Sequence, residues 1–181
     1  MGPGITNVAG IPIPSTDPFF LGVVGLHVLF GLAAVSNGAG AMLSRKGSPL
    51  HVCFGRTYFW SLTGVAATMA ALSAMRWSED WPLFVLGTSA FASAFAGRGF
   101  VRKGQLRPHL AAMGASYILM LTAFYVDNGK NLPLWSELPP LAYWIVPSAV
   151  GLPLIAYYLW RLPEIAGRKS SPKLRRASRR A

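Results

Sequence analysis

The chain has 181 residues, 52% hydrophobic and only 13% charged, with a formal net charge of +11. A water-soluble domain carries about 25% charged residues, so this composition excludes an ordinary solvated globule and matches a polytopic helical membrane protein. The single cysteine, Cys53, excludes an intramolecular disulfide scaffold, a cysteine-rich zinc site and an iron–sulfur cluster held by one chain.

In chain order, residues 1–18 read as an outer N-terminal segment. Met1 to Pro18 has no basic n-region, and the apolar run after it is too long for the h-region of a signal peptide. Crossing about 30 Å of hydrocarbon takes roughly 20 mainly apolar residues. Five stretches meet that demand: Phe19 to Leu43, Thr57 to Met75, Trp81 to Ala96, His109 to Val126 and Leu141 to Trp160. The third is short. Trp81-Pro82 suits a helix start, and a snorkelling Arg98 would let the helix continue toward Val101. Residues 19–161 thus form an all-α bundle of five transmembrane helices, and residues 162–181 a basic, disordered cytoplasmic tail. In the fifth span Pro147, Gly151 and Pro153 are expected to bend the helix.

Lysine and arginine accumulate on the cytoplasmic side of short loops. Fifteen of the 17 basic residues fall on one side, in the first loop, the third loop and the tail. The other side keeps Arg76 and Lys130 with five of the six acids, Asp17, Glu79, Asp80, Asp127 and Glu137. The expected location is the plasma membrane of a bacterium, with the N-terminus outside and the C-terminus in the cytoplasm. Tryptophan and tyrosine agree, with Trp77, Trp81, Tyr143 and Trp144 at outer ends and Tyr58, Trp60, Tyr157, Tyr158 and Trp160 at inner ends. Small residues four apart, such as Ala34 with Gly38, Gly64 with Thr68, Ser89 with Ser93 and Gly97, and Ala111 with Ala115, are expected at helix contacts.

The basic loops also repeat. Arg45-Lys46-Gly47 with His51, Gly55 and Tyr58 parallels Arg102-Lys103-Gly104 with His109, Gly114 and Tyr117. Spans one and two then correspond to spans three and four, giving two duplicated helical hairpins plus a fifth helix.

At these residues the chain resembles a family of predicted bacterial membrane proteins, domain of unknown function 2306. The resemblance rests on His27-x3-Gly31-x-Ala33, Leu50-His51-x3-Gly55-Arg56-x-Tyr58 and His109-x3-Met113-x2-Ser116-Tyr117, which span about half the chain. Val52 stands where that family has arginine, and Ala112 and Ala115 where it has tryptophan and arginine. The resemblance implies a helical membrane bundle and carries no established reaction.

The three histidines fall into two layers. His51 and His109 sit near the inner boundary on repeat-related helices, where two imidazoles would clamp a haem b iron from opposite faces. Gly55 would leave room for the macrocycle, and Arg45, Arg56, Arg102 and Arg107 would meet its propionates or a lipid headgroup. The alternative is that both histidines bond loop carbonyls or headgroups at a helix start. His27 lies about 24 Å further out, level with Tyr125 and slightly below Asp127. An ionisable group within hydrocarbon is a functional candidate. His27 is therefore read as exchanging protons with a quinone or another small ligand, helped by Tyr125 and Asp127, or as a neutral ring satisfied by a neighbouring helix. Asn37 reads as an interhelical hydrogen-bonding residue, and Cys53 as a small packing residue.

No catalytic motif of a soluble enzyme occurs. The readings are a membrane redox or small-ligand protein, a non-enzymatic accessory subunit of a larger membrane complex, or a small transporter. The basic tail is expected to contact anionic lipids; without an accompanying fold, nucleic acid is not an expected partner.

Overall fold

The computed structural model describes the backbone of residues 6–8, 11–13 and 17–170, and the side chains of residues 17–161. Five helices dominate: α1 (Pro18–Leu43), α2 (Pro49–Met75), α3 (Trp77–Arg102), α4 (Leu106–Asn128) and α5 (Pro140–Ser170). All five are long and apolar enough to cross a membrane. Two 3-10 turns, Gly129–Asn131 and Trp135–Glu137, join α4 to α5. Ahead of α1, two three-residue strands, β1 (Thr6–Val8) and β2 (Ile11–Ile13), pair antiparallel with Thr6 opposite Ile13. The remaining residues of the N-terminal segment, and residues 171–181 of the basic tail, lie outside the described residues.

Capping chemistry sets the helix starts. Asp17 Oδ1 accepts the Phe19 amide at 3.1 Å with Pro18 opening α1, and Ser48 Oγ accepts the His51 amide at 3.2 Å with Pro49 opening α2. Thus α2 begins eight residues before the apolar run that starts at Thr57, placing His51 and Arg56 on the helix. The third span also begins earlier than Trp81. Only Arg76 separates it from α2, Arg76 pairs with Glu79, and Glu79 with Asp80 places negative charge on the positive end of the helix. Pro82 therefore sits inside the helix, and α3 runs past Arg98 to Arg102. The backbone of α5 continues unbroken through Pro147 and Pro153 to Ser170, nine residues beyond Arg161.

The two repeat-related loops share a glycine at positive φ, Gly47 at 74° and Gly104 at 72°. Each makes a different turn. Ser48 N donates to Arg45 O across Gly47, as in a type II turn, whereas Gln105 N donates to Phe100 O and Gly104 N to Val101 O, the pair of bonds that closes a Schellman cap.

The core lies where α1 to α4 meet and is built from Ala34, Tyr58, Phe59, Leu62, Ala90, Ala94 and Met120. Small residues let backbones approach closely. Gly38 faces the rings of Tyr117 and Tyr58, Gly64 faces Phe30, and Gly97 faces Met113. On α3 the packing face is Gly87, Ala90, Ala94 and Gly97; Ser89, expected at a contact, is exposed. The fifth helix lies against α4, where Gly114 receives Ile155 and Gly151 receives Ile118. Large apolar side chains point outward, including Leu29 at 64%, Phe95 at 65% and Leu152 at 60% exposure. Such a surface suits hydrocarbon and would be untenable in water.

Candidate functional site

At the basic end, each repeat-related histidine bonds to the helix before it. His51 Nδ1 lies 2.9 Å from Ala41 O on α1, and His109 Nδ1 lies 2.8 Å from Gly97 O on α3. A carbonyl only accepts, so both Nδ1 atoms carry hydrogen and each neutral ring keeps its lone pair on Nε2. That tautomer is the one a histidine uses when Nε2 ligates a metal and a carbonyl fixes the ring from behind. The same bonds tie α2 to α1 and α4 to α3 near the loops. His51 and His109 lie within electrostatic reach of one another. Beside His51, Gly55 has nothing within 4 Å of where a Cβ would stand, whereas the matching Gly114 is filled by Ile155. Among the described residues no three histidine, cysteine, aspartate or glutamate side chains gather as a metal site.

The arginines expected to join these histidines occupy other faces. Arg56 follows His51 by five residues, about 140° round the helix, and Arg107 precedes His109 by two, about 160° away. Both are exposed. Arg56 lines a surface groove of about 750 Å³ with Gly47, Pro49, Val52, Cys53, Thr57 and Trp60. Next to that groove the half-buried Arg98 of α3 lies 4.5 Å from the ring centroid of Phe59 and 5.6 Å from that of Trp60, in cation–π range. In the first loop, Lys46 Nζ donates to Met42 O at 2.6 Å and Ala41 O at 3.2 Å, and stands 5.1 Å from the Tyr158 ring. Its charge thus meets the negative end of α1, and burial pushes its ammonium below the ordinary lysine value.

Toward the other end, His27 Nδ1 lies 2.9 Å from Thr68 Oγ1. Thr68 has one hydroxyl hydrogen, which it directs at Gly64 O (2.8 Å) and Val65 O (3.0 Å). Its oxygen therefore accepts from His27, and Nδ1 is again the protonated nitrogen. Asp127, exposed and bonded to Asn128 Nδ2 at 3.1 Å, lies within electrostatic reach of His27, Lys130 and Arg76. The Tyr125 ring stacks on Trp135 with centroids 3.9 Å apart, and the Tyr143 hydroxyl donates to Trp135 O at 3.1 Å. Asn37, read as interhelical, donates within its own helix to Ala33 O at 2.8 Å.

Between the layers, the repeat-related tyrosines cross between hairpins. Tyr117 donates to Val35 O of α1 at 3.1 Å. Tyr58 meets Ser116 Oγ at 2.8 Å, and because Ser116 gives its own hydrogen to Met113 O, Tyr58 is the donor.

Two partners escaped the sequence reading, Thr68 and Ser116. The helical-rise arithmetic that set His27 level with Tyr125 would have found Thr68 had it been applied to every polar residue.

No protein-family model, curated protein or solved structure matches this chain.

Proposed function

We propose that this polytopic membrane protein binds a small redox-active ligand at its basic end, haem b, which Nε2 of His51 and of His109 would hold. The observation that supports the reading is the shared tautomer: two repeat-related imidazoles each give Nδ1–H to a helix carbonyl and keep Nε2 for a ligand. Gly55, one turn after His51 and with nothing within 4 Å of where a Cβ would stand, would leave room beside that ring. Arg45 and Arg102, at the same end, would neutralise the propionates. Haem b would supply one-electron transfer. His27, its Nδ1 hydrogen committed to Thr68, would exchange protons through Nε2 with a quinone or similar small molecule, and Asp127 would lead to water. This reading extends the likeness to domain of unknown function 2306, whose three histidine-anchored patterns coincide with the three rings. It sets the protein in a bacterial plasma membrane with the basic end in the cytoplasm.

The test is a dithionite-reduced minus oxidised spectrum of protein purified from haem-replete cells. A shifted Soret band and an α band are expected, both lost in His51→Ala and in His109→Ala. A flat difference spectrum of the unmutated protein overturns the assignment.

A second reading, an accessory subunit of a larger membrane complex, draws on α1. Gly22, Gly25 and Gly31 there have nothing within 4 Å of where a Cβ would stand, leaving room for a neighbouring helix. A flat spectrum together with crosslinking of α1 to a second integral membrane protein would favour it.

A further inference from the structure

We propose that the groove on the outward face of α2, at the basic end, binds an anionic phospholipid, with the phosphate on Arg56 and an acyl chain along Val52 and Trp60. The groove holds about 750 Å³. Its walls change character along their length. Val52, Arg56 and Trp60 follow one another four residues apart and share a helix face, and Pro49 marks the end where α2 begins. From Pro49 to Trp60 the helix rises about 16 Å, against roughly 6 Å for one headgroup layer. The groove therefore runs through the headgroup layer into the upper hydrocarbon. Trp60, 57% exposed, is the residue type that settles at this boundary, with Arg56 one turn toward the loop, where a lipid phosphate lies.

Charge selects an anion. Arg56 lines the groove, and Arg98 lies across the ring of Trp60, adding a second guanidinium beside the same indole. Of the six acids, Asp17, Glu79, Asp80, Asp127 and Glu137 stand at the other end, and Glu164, on α5, is the one at this end. Cations far outnumber acids at this end, and a bilayer supplies phosphodiesters as counter-charge at this depth. His51 takes no part, because its ring is turned to α1.

Cys53 lines the groove and is the only cysteine, which makes it a reporter of occupancy. The full chain is placed in nanodiscs of phosphatidylcholine, with or without phosphatidylglycerol, and alkylation of Cys53 by N-ethylmaleimide is timed. Phosphatidylglycerol is expected to slow alkylation several-fold in the unmutated protein. The protection should vanish in Arg56→Gln and persist in Lys103→Gln, which removes the same charge from an exposed position at the same end. Equal protection in the unmutated protein and Arg56→Gln overturns the proposal, as does equal loss in both variants. Inorganic phosphate protecting as well in phosphatidylcholine discs would overturn the lipid assignment. So would protection that persists without anionic lipid and is traced by crosslinking to a second protein helix.

Discussion

Tyr58 gives its hydroxyl hydrogen to Ser116 across 2.8 Å, joining the two helical hairpins at a point where Tyr58 is 2% and Ser116 0% exposed. Tyr117, the repeat counterpart of Tyr58, reaches back from α4 to α1. Each hairpin thus sends one tyrosine into the other.

Tyr58→Phe removes a buried donor and leaves the Ser116 oxygen one partner short. A loss of about 1 kcal/mol is expected, near the upper part of what interhelical hydrogen bonds contribute in membranes. Tyr117 is half-buried, so Tyr117→Phe should cost less. Thermal unfolding in detergent checks the order; a larger loss in Tyr117→Phe would show that the hairpins are joined elsewhere.

Gly38 and Gly25 lie on the same helix in opposite circumstances. A Cβ on Gly38 would meet two aromatic rings, and the Tyr117 ring is anchored by its bond to Val35 O. Gly38→Ala should therefore destabilise by about 1–3 kcal/mol through overpacking. Gly25→Ala, with open space around it, should be neutral or stabilising by up to about 1 kcal/mol through helix propensity. Unfolding of the two variants side by side is the measurement, and similar melting temperatures would refute the close approach of α1 to α4.

Gly104 holds φ at 72° where the Schellman cap ends α3. Gly104→Ala forces a Cβ into left-handed backbone, at a cost of about 1–2 kcal/mol. Gly47→Ala should behave alike, because Gly47 has φ of 74°. Gly99→Ala, inside α3 and with nothing nearby, should not destabilise. The set is read from melting temperatures, and Gly99→Ala falling with the other two would refute the role given to positive φ.

Much of the architecture was legible from hydropathy. Twenty apolar residues have few ways to satisfy their backbone in hydrocarbon other than as a helix, so the five helices were fixed in number and order before any packing was known. Their ends were less legible. Ser48 and Pro49 start α2 among polar and basic residues, and the Arg76–Glu79 pair starts α3 ahead of Pro82, because capping and charge, which hydropathy does not register, decide where a helix begins.

The sequence by itself determined the spans, the charge asymmetry between the two ends, and the paired motif of basic residues, glycine, histidine and tyrosine. Only the tertiary structure decided which face of each helix meets protein. A membrane helix is apolar all round, since lipid tails and a packed interior offer side chains nearly the same environment. Periodicity therefore could not reveal that His51 turns to Ala41 while Arg56, five residues later, turns to the outer groove. Nor could it reveal that His27 pairs with Thr68. Those choices were made by close approach at small residues such as Ala34, Gly38, Ala90 and Ala94, which set how the helices are rotated against one another.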